Sequence, residues 1–386
     1  MGDIYLDYAA ATPLDEAVAK VMQPYWSEQF YNPSAGYLTA KAVRGSIEEA
    51  RTGTASILGA KPVEVIFTAG GTESNNLVIR GILENFPDKH VIVSAIEHES
   101  VLRTTEKFNH SILPVKKDGL VEMGLLERLV QDETVLISIM YANNEIGVTQ
   151  KLSEVGQLIK RIRQDRQARN INLPIFFHTD ASQAGNHQDL HVDRLMVDLM
   201  TLSGSKIYGP KQSSCLYVRT TTEISEIISG GGQELGLRSG TENVPAIMGF
   251  AEALKIAQGT RKEESKRLGL LKKIFISGIQ QIYPNVVING NQKHCLPNII
   301  SLTFPGVDGE SLMMILDQMG VMVSTGSACS ASDDSASHVL LALGVNSKIA
   351  RSTLRVSMGR PTTEQNVNDS IKIFQQALSK LQNIKN

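Results

Sequence analysis

The sequence predicts an α/β protein whose large domain is built on a mainly parallel sheet, with a smaller α+β domain beside it. Short apolar, β-rich runs alternate with amphipathic or charged segments of crossover length, the pattern of strands covered by helices. The chain has 386 residues and 42% hydrophobic content, which is too long for one minimal core. After Gly230-Gly-Gly-Gln the alternation gives way to a long helical stretch, and that change places a domain boundary near residue 250.

The elements follow in order. Segments 63–68, 90–95, 135–140, 175–178, 197–203 and 214–218 read as buried strands, with antiparallel pairing open for the last. Residues 77–86 read as helical, and 153–170 place Val155, Leu158 and Ile162 at helical spacing among Lys, Arg and Gln. Helix 244–281 is followed by strand-like 286–288 and 299–304, a helix from Glu310, and a polar carboxyl end that reads as a surface helix.

Composition narrows the chemistry. A formal net charge of -2 with interspersed signs offers no broad basic face for nucleic acid and no polybasic membrane anchor, so small-molecule chemistry is expected. The amino terminus lacks a charged segment followed by an apolar one, and no apolar stretch is long enough to span a bilayer, which predicts a soluble cytoplasmic protein. The three cysteines lack metal-ligand pairing and suit neither a disulfide framework nor structural zinc. Cys215, in an apolar strand, reads as packing, and Cys295 carries no signal. Cys329 lies in a long run of small and polar residues, where a thiol can ionise and reach both a bound substrate and an external acceptor.

Lys206 occupies a Ser- and Gly-lined turn after an apolar run, and Asp180 ends another such run. An amine for a Schiff base and a carboxylate to keep a pyridine nitrogen protonated are what pyridoxal phosphate (PLP) requires. Thr68-Ala-Gly-Gly-Thr-Glu-Ser-Asn-Asn, between a strand and a helix, reads either as a capped turn or as a phosphate cradle in which Gly71, Thr72, Ser203 and Ser205 converge. Gln183 and Asn144 lie beyond strands, where open α/β sheets present ligand-binding groups; each alone also suits a turn. His98 can stack on an aromatic cofactor or exchange a proton, although a lone histidine is more often structural. Arg355 can hold a carboxylate through two contacts, and Asn32, before Pro33, is a helper amide or a turn residue.

Taken in order, the motifs resemble the cysteine desulfurases of the NifS/IscS type, among the fold-type I, class-V aminotransferase-like PLP enzymes. The resemblance spans almost the whole chain, from Tyr5-Leu-Asp-Tyr through Thr-Glu-Ser-Asn-Asn, Asn-Asn-Glu-Ile-Gly, His-Thr-Asp-Ala, Tyr-Gly-Pro-Lys, Gly-Gly-Gly-Gln-Glu and Arg238-Ser-Gly-Thr to Gly-Ser-Ala-Cys and Leu-Arg-Val-Ser. The long serine-rich continuation after Cys329 is similar to the IscS-like group. The resemblance implies a PLP domain over 14–250, with 1–13 and 251–386 forming a small domain that carries the cysteine loop. It makes Lys206 the Schiff-base lysine and Asp180 the partner of the pyridinium nitrogen. Gln183 and Asn144 would meet the ring-oxygen side, Gly71, Thr72 and Ser203 the phosphate, and Thr241 the phosphate of a neighbouring subunit, hence a homodimer. Arg355 and Asn32 would grip the substrate carboxylate, and His98 would stack on the ring. The implied reaction converts L-cysteine to L-alanine, with Lys206 taking the Cα proton and Cys329 capturing sulfur as a persulfide. That sulfur would pass to a scaffold or carrier for iron–sulfur clusters, thiolated tRNA or another thio-product. A selenocysteine or cystine lyase, or a non-catalytic regulatory paralogue, is the alternative. Two positions depart from the family pattern: Ser205 stands where a histidine usually precedes the lysine, and Tyr37 where a histidine follows the Asn-Pro-Ser motif.

Overall fold

The structure, a computed structural model, describes residues 3–325 and 336–385. Its strands in chain order are β1 Ile4–Tyr5, β2 Val65–Thr68, β3 His90–Ser94, β4 His110–Leu113, β5 Thr134–Ser138, β6 Phe176–Asp180, β7 Leu199–Ser203, β8 Ser214–Val218, β9 Val287–Ile288, β10 Ile299–Thr303, β11 Val321–Met322 and β12 Thr353–Ser357. Seven of them form the main sheet in the order β2-β8-β7-β6-β5-β3-β4. Every residue of these strands is buried except in β4 at the edge, as expected when helices cover both faces of a largely parallel sheet. Only β8 runs against its neighbours, pairing antiparallel with both β2 and β7, so β2 and the five parallel strands all end at one edge.

All six expected strands of this sheet form within two residues of the expected bounds, and 214–218 matches at both ends. The edge strand β4 was not foreseen, because His110-Ser-Ile-Leu is too short and polar to carry a period. Nor was the helix Leu38–Leu58, whose buried Ala40, Val43, Ile47, Ala50, Thr54 and Leu58 nonetheless follow helical spacing. It stops at Gly59, which takes the left-handed conformation (φ 67°) that glycine adopts without steric cost. The helix expected over 77–86 begins earlier, at Gly71, so the glycine motif forms its first turn.

A second core packs around a three-stranded antiparallel sheet, β12-β10-β9, and the parallel pair β1 and β11. Helix Val244–Ile282 runs through both cores: Phe250, Leu254 and Ala257 belong to the first, and Leu268, Leu271, Phe275 and Ile279 to the second. The boundary expected near 250 falls inside this helix. The carboxyl-terminal helix Glu364–Lys385 is less superficial than its polarity suggests, since Val367, Phe374, Ala377 and Leu378 enter the second core. No described helix is long and apolar enough to cross a membrane.

Phe275 is fully buried and meets Phe374 edge to face at 5.6 Å. Truncating such a side chain removes its transfer energy and leaves a cavity. Phe275→Ala is expected to destabilise the protein by about 3–5 kcal/mol in a denaturant titration.

Candidate active site

The loops that follow β2, β3, β5, β6 and β7 meet at the edge where those strands end, the edge at which open α/β sheets hold ligands. They enclose a cavity of about 660 Å³, and Arg355 reaches it from β12. Gly71, Thr72, His98, Asn144, Asp180, Gln183, Ser203, Ser205, Lys206 and Arg355 all line this one space.

Asp180 is the last residue of β6 and nearly buried. Its Oδ1 accepts from the Ser182 backbone N–H at 2.9 Å, and its Oδ2 accepts from Asn75 Nδ2 at 2.8 Å. Asn75 Nδ2 also donates to Ser100 Oγ at 2.9 Å, so both of its amide hydrogens are used. His98 caps the helix Glu99–Thr105: its Nδ1 accepts from the Ser100 backbone N–H at 3.1 Å, so in the neutral ring the proton sits on Nε2.

Lys206 closes a short 3₁₀ turn, Gly204–Lys206, and its Nζ donates to the Ala10 carbonyl at 2.5 Å. The loop is pinned by its carbonyls, Ser205 O accepting from Thr12 Oγ1 at 3.0 Å and Lys206 O from Asn186 Nδ2 at 2.7 Å. Two residues on, Tyr208 sits at φ 64°, a left-handed conformation that costs an aromatic residue on the order of 1 kcal/mol and persists only where neighbours enforce it. Here Tyr208 N donates to Thr12 Oγ1 and its hydroxyl accepts from Arg360 N at 2.6 Å.

Ser203 and Ser205 Oγ atoms lie 3.1 Å apart, facing the start of the helix Gly71–Leu83. A Cβ on Gly71 would approach Ser182 Oγ to 3.2 Å, so glycine keeps this approach open. Asn143 Oδ1 accepts from the N–H groups of Glu145 and Ile146 at 2.8 and 2.9 Å, forming the turn that presents Asn144. Arg355 is 4% exposed; its Nη2 donates to Asp7 Oδ1 at 2.7 Å, its Nη1 to the Asn144 carbonyl at 3.1 Å, and its Nε has no partner among the described residues.

Three buried titratable groups back this cavity, none assigned a role from sequence. Burial pushes the Glu97 carboxyl up to about 8, against hydrogen bonds from Ser94 and Met140 and with the nearby Asp180 adding to the rise. Burial likewise raises Glu145, which accepts from Ser337 Oγ at 2.5 Å. Burial lowers His178 to about 4 despite Asp180, and its ring meets Ser138 and Thr201 hydroxyls at 2.8 and 3.1 Å. Asn75 and Asp7 were also missed as partners, although both lie inside motifs visible in the sequence.

Two expected residues lie elsewhere in the single chain. Thr241 is exposed and lines a neighbouring cavity of about 220 Å³ with Arg238. Asn32 is exposed, and its Oδ1 accepts from Ser34 N at 2.9 Å within a turn. Cys329 lies outside the described residues.

The cavity fits PLP. It joins one amine and one buried carboxyl with a helix start opposite two hydroxyls for a phosphate. Fold and site thus define a fold-type I PLP-dependent enzyme. The chain belongs to the class-V aminotransferase family, whose model matches residues 4–369. It is similar to the cysteine desulfurase IscS of Dictyoglomus turgidum, at 40% identity over 99% of this chain and 96% of that one. Among solved structures it is similar to a NifS-like protein, with TM-score 0.90, 33% identity and coverage of 98% of this chain and 100% of that one. It is also similar to a chain described as SspA in complex with cysteine, with TM-score 0.78, 34% identity and coverage of 92% and 98%.

Two variants test the electrostatics. Asn75→Asp would set a second carboxyl against Asp180 and is expected to weaken PLP binding about tenfold or more, measured by fluorescence titration. Glu97 stays neutral in the folded state up to about pH 8 but ionises near 4.5 when unfolded, so its raised value favours folding fully only below 4.5 and that stability is lost from 4.5 to 8. Glu97→Gln removes the titration. Its stability relative to wild type is expected to rise with pH across that window by up to about 1.4 kcal/mol per unit, read from melts at pH 5 and pH 8.

Proposed function

We propose that this chain is a cysteine desulfurase, converting L-cysteine to L-alanine and capturing the sulfur as a persulfide on Cys329. The observation that carries this reading is the single cavity shared by Lys206, Asp180 and Arg355, in a chain 40% identical to a cysteine desulfurase. PLP, when bound, supplies the sink for the electron pair left at the substrate Cα.

The chain's own groups divide the remaining work. Lys206 anchors the cofactor and takes the Cα proton on Nζ. Asp180, held by Asn75 and Ser182, would keep the ring nitrogen protonated, while Gln183 and Asn144 would hold the ring-oxygen side. Gly71, Thr72, Ser203 and Ser205 receive the phosphate through backbone amides and hydroxyls. His98, its Nδ1 committed to Ser100, offers its ring face for stacking. Arg355, oriented by Asp7, receives the substrate carboxylate together with Asn32. Cys329 Sγ, as thiolate, then attacks the substrate sulfur as the substrate's Cβ–S bond breaks; the pair from that bond stays on the three-carbon skeleton, which is protonated and leaves as alanine.

Asn32 and Thr241 serve this site across a homodimer. Supporting that is a stretch around Asn32 with Trp26, Phe30, Tyr37 and Leu38 at 65%, 67%, 54% and 83% exposure, far more apolar surface than a lone subunit favours. Residues 14–250 form the PLP unit, and 1–13 with 251–386 the smaller one. The enzyme works in the cytoplasm, binds neither membrane nor nucleic acid directly, and hands sulfur to a scaffold or carrier protein for iron–sulfur clusters or thiolation.

Alanine formation from L-cysteine, with mass spectrometry of the protein, tests the assignment. Wild type is expected to form alanine and gain 32 Da on the Cys329 peptide, as one sulfur replaces none. Cys329→Ala should retain the cofactor absorption band yet lose at least about 100-fold in alanine formation; full activity in that variant would reject the nucleophile. Ser205→His restores a ring beside the lysine and is expected to slow PLP loss on dialysis.

A further inference from the structure

A carboxylate lines the cavity beside the residues proposed to receive the phosphate. Glu73 stands in the first turn of the helix Gly71–Leu83 and shares that cavity with Gly71, Thr72, Ser203 and Ser205. Its Oε2 accepts from the Ala69 N–H at 3.1 Å, and its Oε1 accepts from Arg238 Nε at 3.0 Å. Arg238 itself lines the neighbouring cavity of about 220 Å³. A helix start attracts a carboxylate and a phosphate alike, but two anions at one helix start repel each other. Glu73 alone would therefore work against the phosphate.

The loop that carries Arg238 is tied down on both sides of it. Glu234 is buried; its two carboxylate oxygens accept from Arg51 Nη1 and Nη2 at 2.8 and 2.9 Å, and Oε2 also accepts from the Phe67 N–H of β2 at 2.8 Å. Glu234 and Leu235 both take left-handed conformations, φ 48° and 59°, which side-chain-bearing residues keep only where neighbours enforce them. Past Arg238, Ser239 N donates to the Ile228 carbonyl at 3.2 Å and Gly240 N to Gln233 Oε1 at 2.9 Å. The backbone thus brings the guanidinium to Glu73. Both side chains of the pair are only partly exposed, so salt screens it less than a pair standing in solvent.

We propose that Arg238 is a positioning residue for the cofactor phosphate, its positive charge offsetting that of Glu73 so that the helix start accepts a second anion. Arg238 acts through Glu73 and does not itself touch the phosphate. Removing Arg238 leaves an unmatched carboxylate on the cavity, removing Glu73 leaves an unmatched cation next to it, and removing both restores neutrality. Phosphate affinity follows the net charge of the pair. The inference rests on the phosphate role proposed for Gly71 and Thr72.

The test titrates the full chain, stripped of cofactor, with PLP and with pyridoxal, which lacks the phosphate, and reads binding from the absorption band. Relative to wild type, PLP affinity is expected to fall about tenfold in Arg238→Gln and to rise about threefold in Glu73→Gln. In the double variant and in Arg238→Lys it should lie within about threefold of wild type. Pyridoxal affinity should change by less than about twofold throughout, because the effect acts on the phosphate alone. Unchanged PLP affinity in Arg238→Gln, a loss shared equally by PLP and pyridoxal, or a double variant no better than Arg238→Gln would overturn the role. A merely structural part for Arg238 would give one of those results. Should Arg238→Gln not fold, Glu73→Gln decides, and PLP binding no tighter than wild type overturns the inference. Thr72→Ala asks separately whether the phosphate lies at this helix start, with a loss of at least about threefold expected for PLP and none for pyridoxal. Absence of that loss counts against the phosphate site itself, whereas a loss there beside a flat charge series rejects the role of Arg238 alone.

Discussion

The hydrogen bond between Asn75 Nδ2 and Asp180 Oδ2, 2.8 Å long and buried at the end of β6, is the contact around which the cavity is arranged. A carboxyl buried at the edge of a sheet loses solvation, and hydrogen bonds to its lone pairs offset that loss. Asn75 and the Ser182 N–H occupy one oxygen each, and both partners are themselves fixed, Asn75 by Ser100 and Ser182 by the turn after β6. The helix Gly71–Leu83 that carries Asn75 also begins the phosphate cradle at Gly71. One helix therefore carries both the amide that holds Asp180 and the glycine proposed to receive the phosphate.

The groups behind this contact avoid competing with it. Glu97 and His178 both feel the Asp180 charge, and burial biases each of them toward its uncharged form, the acid upward and the imidazole downward. A charged Glu97 would repel Asp180, and a charged His178 would be an unpaired buried cation among hydroxyls. With both neutral, neither adds a charge beside Asp180, Lys206 and Arg355, which line the cavity. This is how a site keeps strong electrostatics without a network of buried ion pairs.

Most of this was legible in the sequence for a definite reason. Strands buried on both faces must be continuously apolar, so β3, β5, β7 and β8 announced themselves, and residues at their ends were the natural site candidates. What stayed hidden depended on distance in the chain. Asp7 meets Arg355 across 348 positions, and Ser337 meets Glu145 across 192, pairings that no local period encodes. The helix Leu38–Leu58 was masked by its many polar and small residues, and Asn32 and Thr241 are exposed and lie outside the cavity in the single chain. The Ser205 substitution was visible at once, but its hydroxyl partnership with Ser203 was not.

The same long-range contacts bear on how the cysteine-bearing segment relates to the cavity. On its amino-terminal side Ser324 forms an antiparallel bridge with Arg355, its N–H donating to the Arg355 carbonyl at 3.1 Å and its carbonyl accepting from Arg355 N at 2.6 Å. On its carboxyl-terminal side Ser337 donates to Glu145, the neighbour of Asn144, and His338 Nε2 lies 3.0 Å from the carbonyl of Glu97, the neighbour of His98. The chain thus departs beside the residue proposed to hold the substrate carboxylate and returns beside those proposed to flank the cofactor ring. Arg355 lines the cavity, and Glu145 and Glu97 each adjoin a residue that does. The two described ends that flank the proposed nucleophile are therefore held by the groups proposed to orient the substrate and by neighbours of those proposed to flank the cofactor.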